Sequence, residues 1–211
     1  TVAVAGHLEG GPPVTVATTQ LAYTTGMAVV MVMATLAVTS EYTTGTIRTT
    51  FLAVPRRSSV LVAKSVVVGI VSAVAGLIAA FGGWGLATLL LPGVDLGLHG
   101  VQEWRQVAGV GLVYLFSAVI ALAVGVFVRH TAGAVSIVLV WSLVAENLLD
   151  LIPGVAPALS RWMPFHAAKQ FLTTDGTVPG WLDSPWTALA VLAAWAVAMV
   201  AVAIAVVRRR D

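Results

Sequence analysis

The sequence predicts an all-α integral membrane protein, and three observations carry that prediction. Of 211 residues, 59% are apolar and only 9% are charged, with a mean hydropathy of +0.97, a composition that cannot clothe a soluble domain of this size in polar surface. The apolar residues gather in five runs, each near the roughly 20 residues that cross about 30 Å of hydrocarbon at about 1.5 Å per residue. None of the runs alternates in polarity as a barrel strand would. Since hydrocarbon offers backbone groups no hydrogen-bond partner, each run is expected to be a helix.

The runs cover 17–38, 65–91, 107–128, 131–152 and 186–207, and only the fourth contains charge, at Glu146 and Asp150. Counting cations across alternating spans puts Arg48, Arg56, Arg57, Lys64, Arg129, Arg208, Arg209 and Arg210 on one side, against Arg105, Arg161 and Lys169 on the other. That asymmetry places the first side in the cytoplasm. A multi-pass protein of the cytoplasmic membrane follows, with the loop 40–57, the tight turn Arg129-His130 and the tail 208–211 inside, and the segment 1–16 outside. An external start without a signal sequence is awkward to insert, so one further helix is expected before Thr1, giving six spans with both ends inside.

Outside the membrane, 153–185 interleaves Trp162, Phe165, Phe171, Trp181 and Trp186 with Arg161, Lys169 and prolines. Aromatics mixed with cations suit the headgroup region, which predicts one or two short interfacial helices. Two stripes of small residues allow close helix approach: Gly69, Ala73, Gly76, Ala80 and Gly83 on the second span, and Ala190, Ala194, Ala198, Ala201 and Ala205 on the fifth. Both are expected to pack within one subunit, with a dimer interface as the alternative.

The longest cytoplasmic loop, 40–57, is the most informative stretch. Ile47, Phe51 and Val54 fall at i, i+4 and i+7, which predicts a short surface helix with one apolar stripe, stopped by Pro55. One reading is a juxtamembrane segment whose arginines sit among anionic headgroups. The other is a docking lever for a cytoplasmic partner, favoured by Glu41 and Tyr42 at the exit of the first span.

Glu41-Tyr42-Thr43-Thr44-Gly45-Thr46-Ile47-Arg48, followed by Pro55-Arg56-Arg57 and by Ala63-Lys64 opening the next span, resembles the signature of the type-2 ABC transporter permease family. The likeness extends along the chain in the order of spans, with Arg161-Trp162-Met163-Pro164-Phe165 placed before the last span, but at motif level it is confined to 41–64. The resemblance implies that this segment is a coupling helix seated in a separate ATP-binding subunit, with Glu41, Tyr42, Gly45, Thr46, Ile47, Arg48, Phe51, Pro55 and Arg57 as docking residues. It also implies a second permease copy, ATP and magnesium held by the partner subunit, and an exporter whose cargo the generic Val, Ala, Leu and Gly of the spans do not specify.

Glu146, Asn147 and Asp150 form the only strongly polar group within a predicted span, with the two carboxylates at i and i+4. Intramembrane charges are costly and frequently functional. They would either line the external mouth of a pathway, attracting a cation or proton, or be neutralised at the interface by Arg105, Arg161 or Lys169. His7, His99, His130 and His166 are scattered, without metal-ligand spacing. The chain has no cysteine and no phosphate-binding loop or hydrolase signature, so no cofactor and no nucleic acid is expected on it. Two rival readings are an intramembrane lipid-modifying enzyme using Glu146 and Asp150 as an acid/base pair, and a passive scaffold whose loop binds a regulatory protein.

Overall fold

The computed structural model describes residues 15–44, 57–149, 159–173, 182 and 184–209. All regular structure among them is helical: α1 Val16–Thr19, α2 Tyr23–Thr44, α3 Arg57–Leu90, α4 Val101–Val128, α5 Thr131–Val140, α6 Glu146–Leu149, α7 Pro164–Leu172 and α8 Pro185–Arg209. A π-helical turn, Trp141–Ala145, joins α5 to α6 without a break, and a 3₁₀ turn, Ser160–Trp162, precedes α7. Four helices, Tyr23–Tyr42, Ser58–Leu90, Val101–Val128 and Pro185–Arg208, are long and apolar enough to cross a membrane, whereas Thr131–Ala145 is shorter. The bundle is thus compatible with multi-pass insertion.

Helix α4 is the axis of the bundle, and Val107, Val110, Val113, Ala118, Ile120 and Ala121 on it are buried. Helices α2, α3, α7 and α8 all pack around it. Its tightest neighbour is α3, where the predicted small-residue stripe does the packing. A Cβ on Gly76 would lie 2.9 Å from Tyr114 Cγ and 3.1 Å from Gly111 Cα, and one on Gly111 would lie 3.1 Å from the Ala73 carbonyl oxygen. The two backbones meet there at a distance that only hydrogen on each Cα allows. The stripe on α8 behaves otherwise, because Ala190, Ala194, Ala198, Ala201 and Ala205 are all exposed. Ala188, Leu192, Ala196 and Ala203 face inward instead, so the larger Leu192 fills the interface and the stripe lies on the surface of the subunit.

The predicted first run, 17–38, is divided. Thr18 and Thr19 turn their hydroxyls back onto the carbonyls of Thr15 and Val16, at 2.7 and 2.6 Å, and the Gln20 amide reaches the Ala80 carbonyl on α3 at 3.2 Å. These local bonds favour a turn at 20–22, and the long helix starts only at Tyr23. Helix α3 begins eight residues ahead of the predicted 65, and its 34 residues span roughly 51 Å, so it either tilts or projects beyond the hydrocarbon. The Arg129-His130 turn forms as expected. Arg129 takes a left-handed conformation at φ 56°, its N–H closes onto the Gly125 carbonyl at 3.0 Å, and His130 Nδ1 accepts from the Gly133 N–H at 3.3 Å.

In the segment before α8 a short helix forms, and its aromatics divide between core and surface. Helix α7 packs one face into the bundle: Phe165, Ala167, Ala168, Phe171 and Leu172 are buried against α4 and α8, while Lys169 is exposed. Among the described aromatics of the segment, Trp162 and Trp186 are exposed, and Trp181 lies outside the described residues. Phe165 and Phe171 are core while Trp162 and Trp186 are rim, a division that follows from the indole N–H needing a polar partner.

Candidate functional site at the cationic end of the bundle

Helices α2, α3, α4, α5 and α8 each start or finish at one end of the bundle, and side-chain contacts tie those ends together. Lys64 Nζ on α3 meets Glu41 Oε1 on α2 at 2.5 Å, with side chains 19% and 35% exposed. The Arg129 guanidinium stands 5.2 Å from the centre of the Tyr42 ring, a cation–π contact. Thr131 Oγ1 donates to Thr39 Oγ1 at 3.1 Å, and Arg208 Nη2 donates to Ser58 Oγ at 3.4 Å. Lys64, Arg129 and Arg208, three of the cations counted on one side of the sequence, therefore gather in three dimensions.

Of the residues assigned to docking, Glu41 and Tyr42 are described. Gly45, Thr46, Ile47, Arg48, Phe51 and Pro55 lie outside the described residues, as does the side chain of Arg57. The chain leaves α2 at Thr44 and re-enters α3 at Arg57, so the Glu41–Lys64 pair clasps the two helices on either side of the segment that resembles a coupling helix. The Glu41 carboxylate is engaged within the chain. Chemically the cluster ties the helix ends together and leaves the Arg129 and Arg208 side chains exposed. Sequence reading took Lys64 as a positive charge and as part of the family likeness, and Arg129 as a positive charge; an acidic residue at one helix exit with a basic residue opening the next was the available signal for the Glu41–Lys64 pair.

At the opposite end stands Glu146, the other polar candidate. It is 4% exposed and follows directly on the π-helical turn. Its carboxylate accepts from the backbone N–H groups of Phe165, at 3.3 Å, and His166, at 2.6 Å. Those are the orphan donors of the first turn of α7, where the helix dipole favours a negative charge. The sequence offered a pathway mouth or neutralisation by Arg105, Arg161 or Lys169; these two bonds add the capping of a neighbouring helix. Arg105 is engaged elsewhere: Nη2 donates to the Thr173 carbonyl at 2.9 Å, and the guanidinium sits 5.7 Å from the Phe171 ring centre. Because Thr173 ends α7, that short helix has an anion at its N-terminus and a cation at its C-terminus. Gln170 completes the clamp, donating to the Leu182 carbonyl at 2.6 Å and accepting from the Leu182 N–H at 3.1 Å.

A recess of about 60 Å³ beside Glu146 is lined by Tyr23, Thr24, Ser142, His166 and Lys169 among others. Asp150 and the Asn147 side chain lie outside the described residues. No grouping of His, Asp and Glu able to hold a metal occurs among the described residues. Comparison with protein-family models, with curated proteins and with solved structures gave no match.

Proposed function

We propose that this chain is the membrane-spanning permease subunit of an ABC exporter, moving its substrate across the cytoplasmic membrane with energy from ATP hydrolysed in a separate subunit. The observation that carries the reading is the clasp of Glu41 on Lys64, set on either side of the segment whose sequence resembles a coupling helix, with the adjacent Tyr42 ring against Arg129. In this reading the bundle crosses the membrane five times, with 131–149 and its π turn as the fourth crossing. The end bearing Lys64, Arg129 and Arg208 faces the cytoplasm, in keeping with the cation count. A second permease copy completes the pathway, and two ATP-binding subunits dock on the cytoplasmic side with ATP and magnesium.

Nucleotide shifts the inward–outward equilibrium only through contacts that differ between the two states. Arg48 is assigned to contact with the ATPase. Glu41, held by Lys64, orients the segment and transmits its displacement to α2 and α3 together.

The test is Glu41→Ala and Arg48→Ala, assembled with the partner ATPase. Loss of complex formation or of transport-coupled ATPase activity is expected, whereas both staying at wild-type levels refutes the docking assignment.

A further inference from the structure

We infer that the chain holds one anionic phospholipid in a groove between α3, α4 and α8, with an acyl tail along the groove and the headgroup at Arg208. The inference does not depend on the transport reading. The groove encloses about 430 Å³, with Leu115, Phe116 and Val119 of α4 as its floor and Gly69 and Ala201 as parts of its walls. Small residues open it: α3 carries Gly69 and α8 carries Ala196 and Ala201 where both helices border the α4 floor. Ser65 is the one hydroxyl in the lining, and its Oγ is already bonded to the Leu61 carbonyl at 2.9 Å. A polar solute would find no partner there, but a hydrocarbon chain needs none.

The charged end of the groove selects the headgroup. Along α3 the lining residues Val62, Val66 and Gly69 continue one turn back to Ser58, and along α8 Val197, Ala201 and Ile204 continue one turn forward to Arg208. These two extensions meet in the Arg208–Ser58 contact at 3.4 Å. An exposed guanidinium thus stands where the groove reaches the cationic end, and its remaining donors match phosphate oxygens. From Val62 to Ile70 the wall runs roughly 12 Å at about 1.5 Å per residue, enough for much of one acyl tail.

The experiment places the full chain in nanodiscs of equal phosphatidylglycerol and phosphatidylcholine, removes the bulk lipid, and counts the lipids retained by native mass spectrometry. Wild type is expected to keep phosphatidylglycerol in preference to phosphatidylcholine. Arg208→Gln, at an exposed position, lowers phosphatidylglycerol retention roughly fivefold and leaves phosphatidylcholine unchanged. Ala201→Trp fills the groove from its open side and removes both. Equal retention of the two lipids, indifferent to either variant, would mean ordinary annular lipid and overturn the inference. So would a dimer mass without bound lipid that Ala201→Trp converts to monomer, since the groove would then be a seat for a second copy.

Discussion

Replacing Glu146 by alanine removes the carboxylate that accepts from the first-turn amides of Phe165 and His166. Each hydrogen bond to a charged acceptor contributes about 1.5–3 kcal/mol, and the charge–dipole term adds about 0.3–1 kcal/mol. Against these stands the relief of a carboxylate that no longer has to leave water. A net local loss of about 2 kcal/mol follows, which speeds amide exchange through local opening roughly thirtyfold. The loss is confined to α7, because the rest of that helix is held independently by Phe165, Phe171 and the Gln170–Leu182 pair. Hydrogen exchange read by mass spectrometry on fragments spanning 164–172, in detergent or nanodiscs, measures it. Glu146→Gln keeps one acceptor oxygen without the charge and should lose about 1 kcal/mol. If Glu146→Ala leaves protection across 164–172 unchanged, or lowers it equally in α4, the capping role is refuted.

Other expectations follow from single contacts. Gly76→Val drives a side chain into Tyr114 and the Gly111 backbone and should destabilise the bundle by about 1–3 kcal/mol, seen as a lower thermal midpoint. Arg105→Met deletes the bond to the Thr173 carbonyl while keeping an apolar stem against Phe171; faster exchange at the C-terminal end of α7, with α3 unaffected, is the expected signature. Tyr114→Phe removes the 2.9 Å bond to the Tyr23 carbonyl and should lower stability by about 1 kcal/mol in chemical denaturation. In the 91–100 loop the Gly97 N–H and the His99 side chain hold the Asp95 carboxyl below the usual carboxylate range. A depressed value means that its contribution is present above the unfolded-state value and is lost as pH falls through the folded one. Carboxyl titration by NMR should show that depression, and His99→Ala should raise the value part of the way back.

The helices themselves were legible in the sequence, since uninterrupted apolar runs of that length leave the backbone no alternative in hydrocarbon. The Arg129-His130 turn was equally plain. Which face of each helix packs inward was not. In a soluble helix the polar face betrays the buried one, but here lipid and protein interior are both apolar, so the two alanine and glycine stripes looked alike. Gly76 turned out to be a contact with Gly111, while Ala194 and Ala198 face away from the bundle. The same degeneracy hid the burial of Phe165 and Phe171, whose aromatic neighbours suggested an interface. Glu146 was visible as an expensive residue, yet its partner is a backbone terminus brought in from 164–166 by the fold, which no side-chain pattern encodes.

The link between α4 and α5 consists of Arg129 and His130 alone, and two residues span at most about 7 Å. The ends of those helices are therefore tethered at the cationic face. Any movement that parts α4 from α5 must splay them like tongs about this tether, with the gap widening toward the far face where Glu146 grips α7. A displacement of less than an ångström near the pivot becomes several ångströms there, so the short, doubly counter-charged α7 sits where the lever arm is longest.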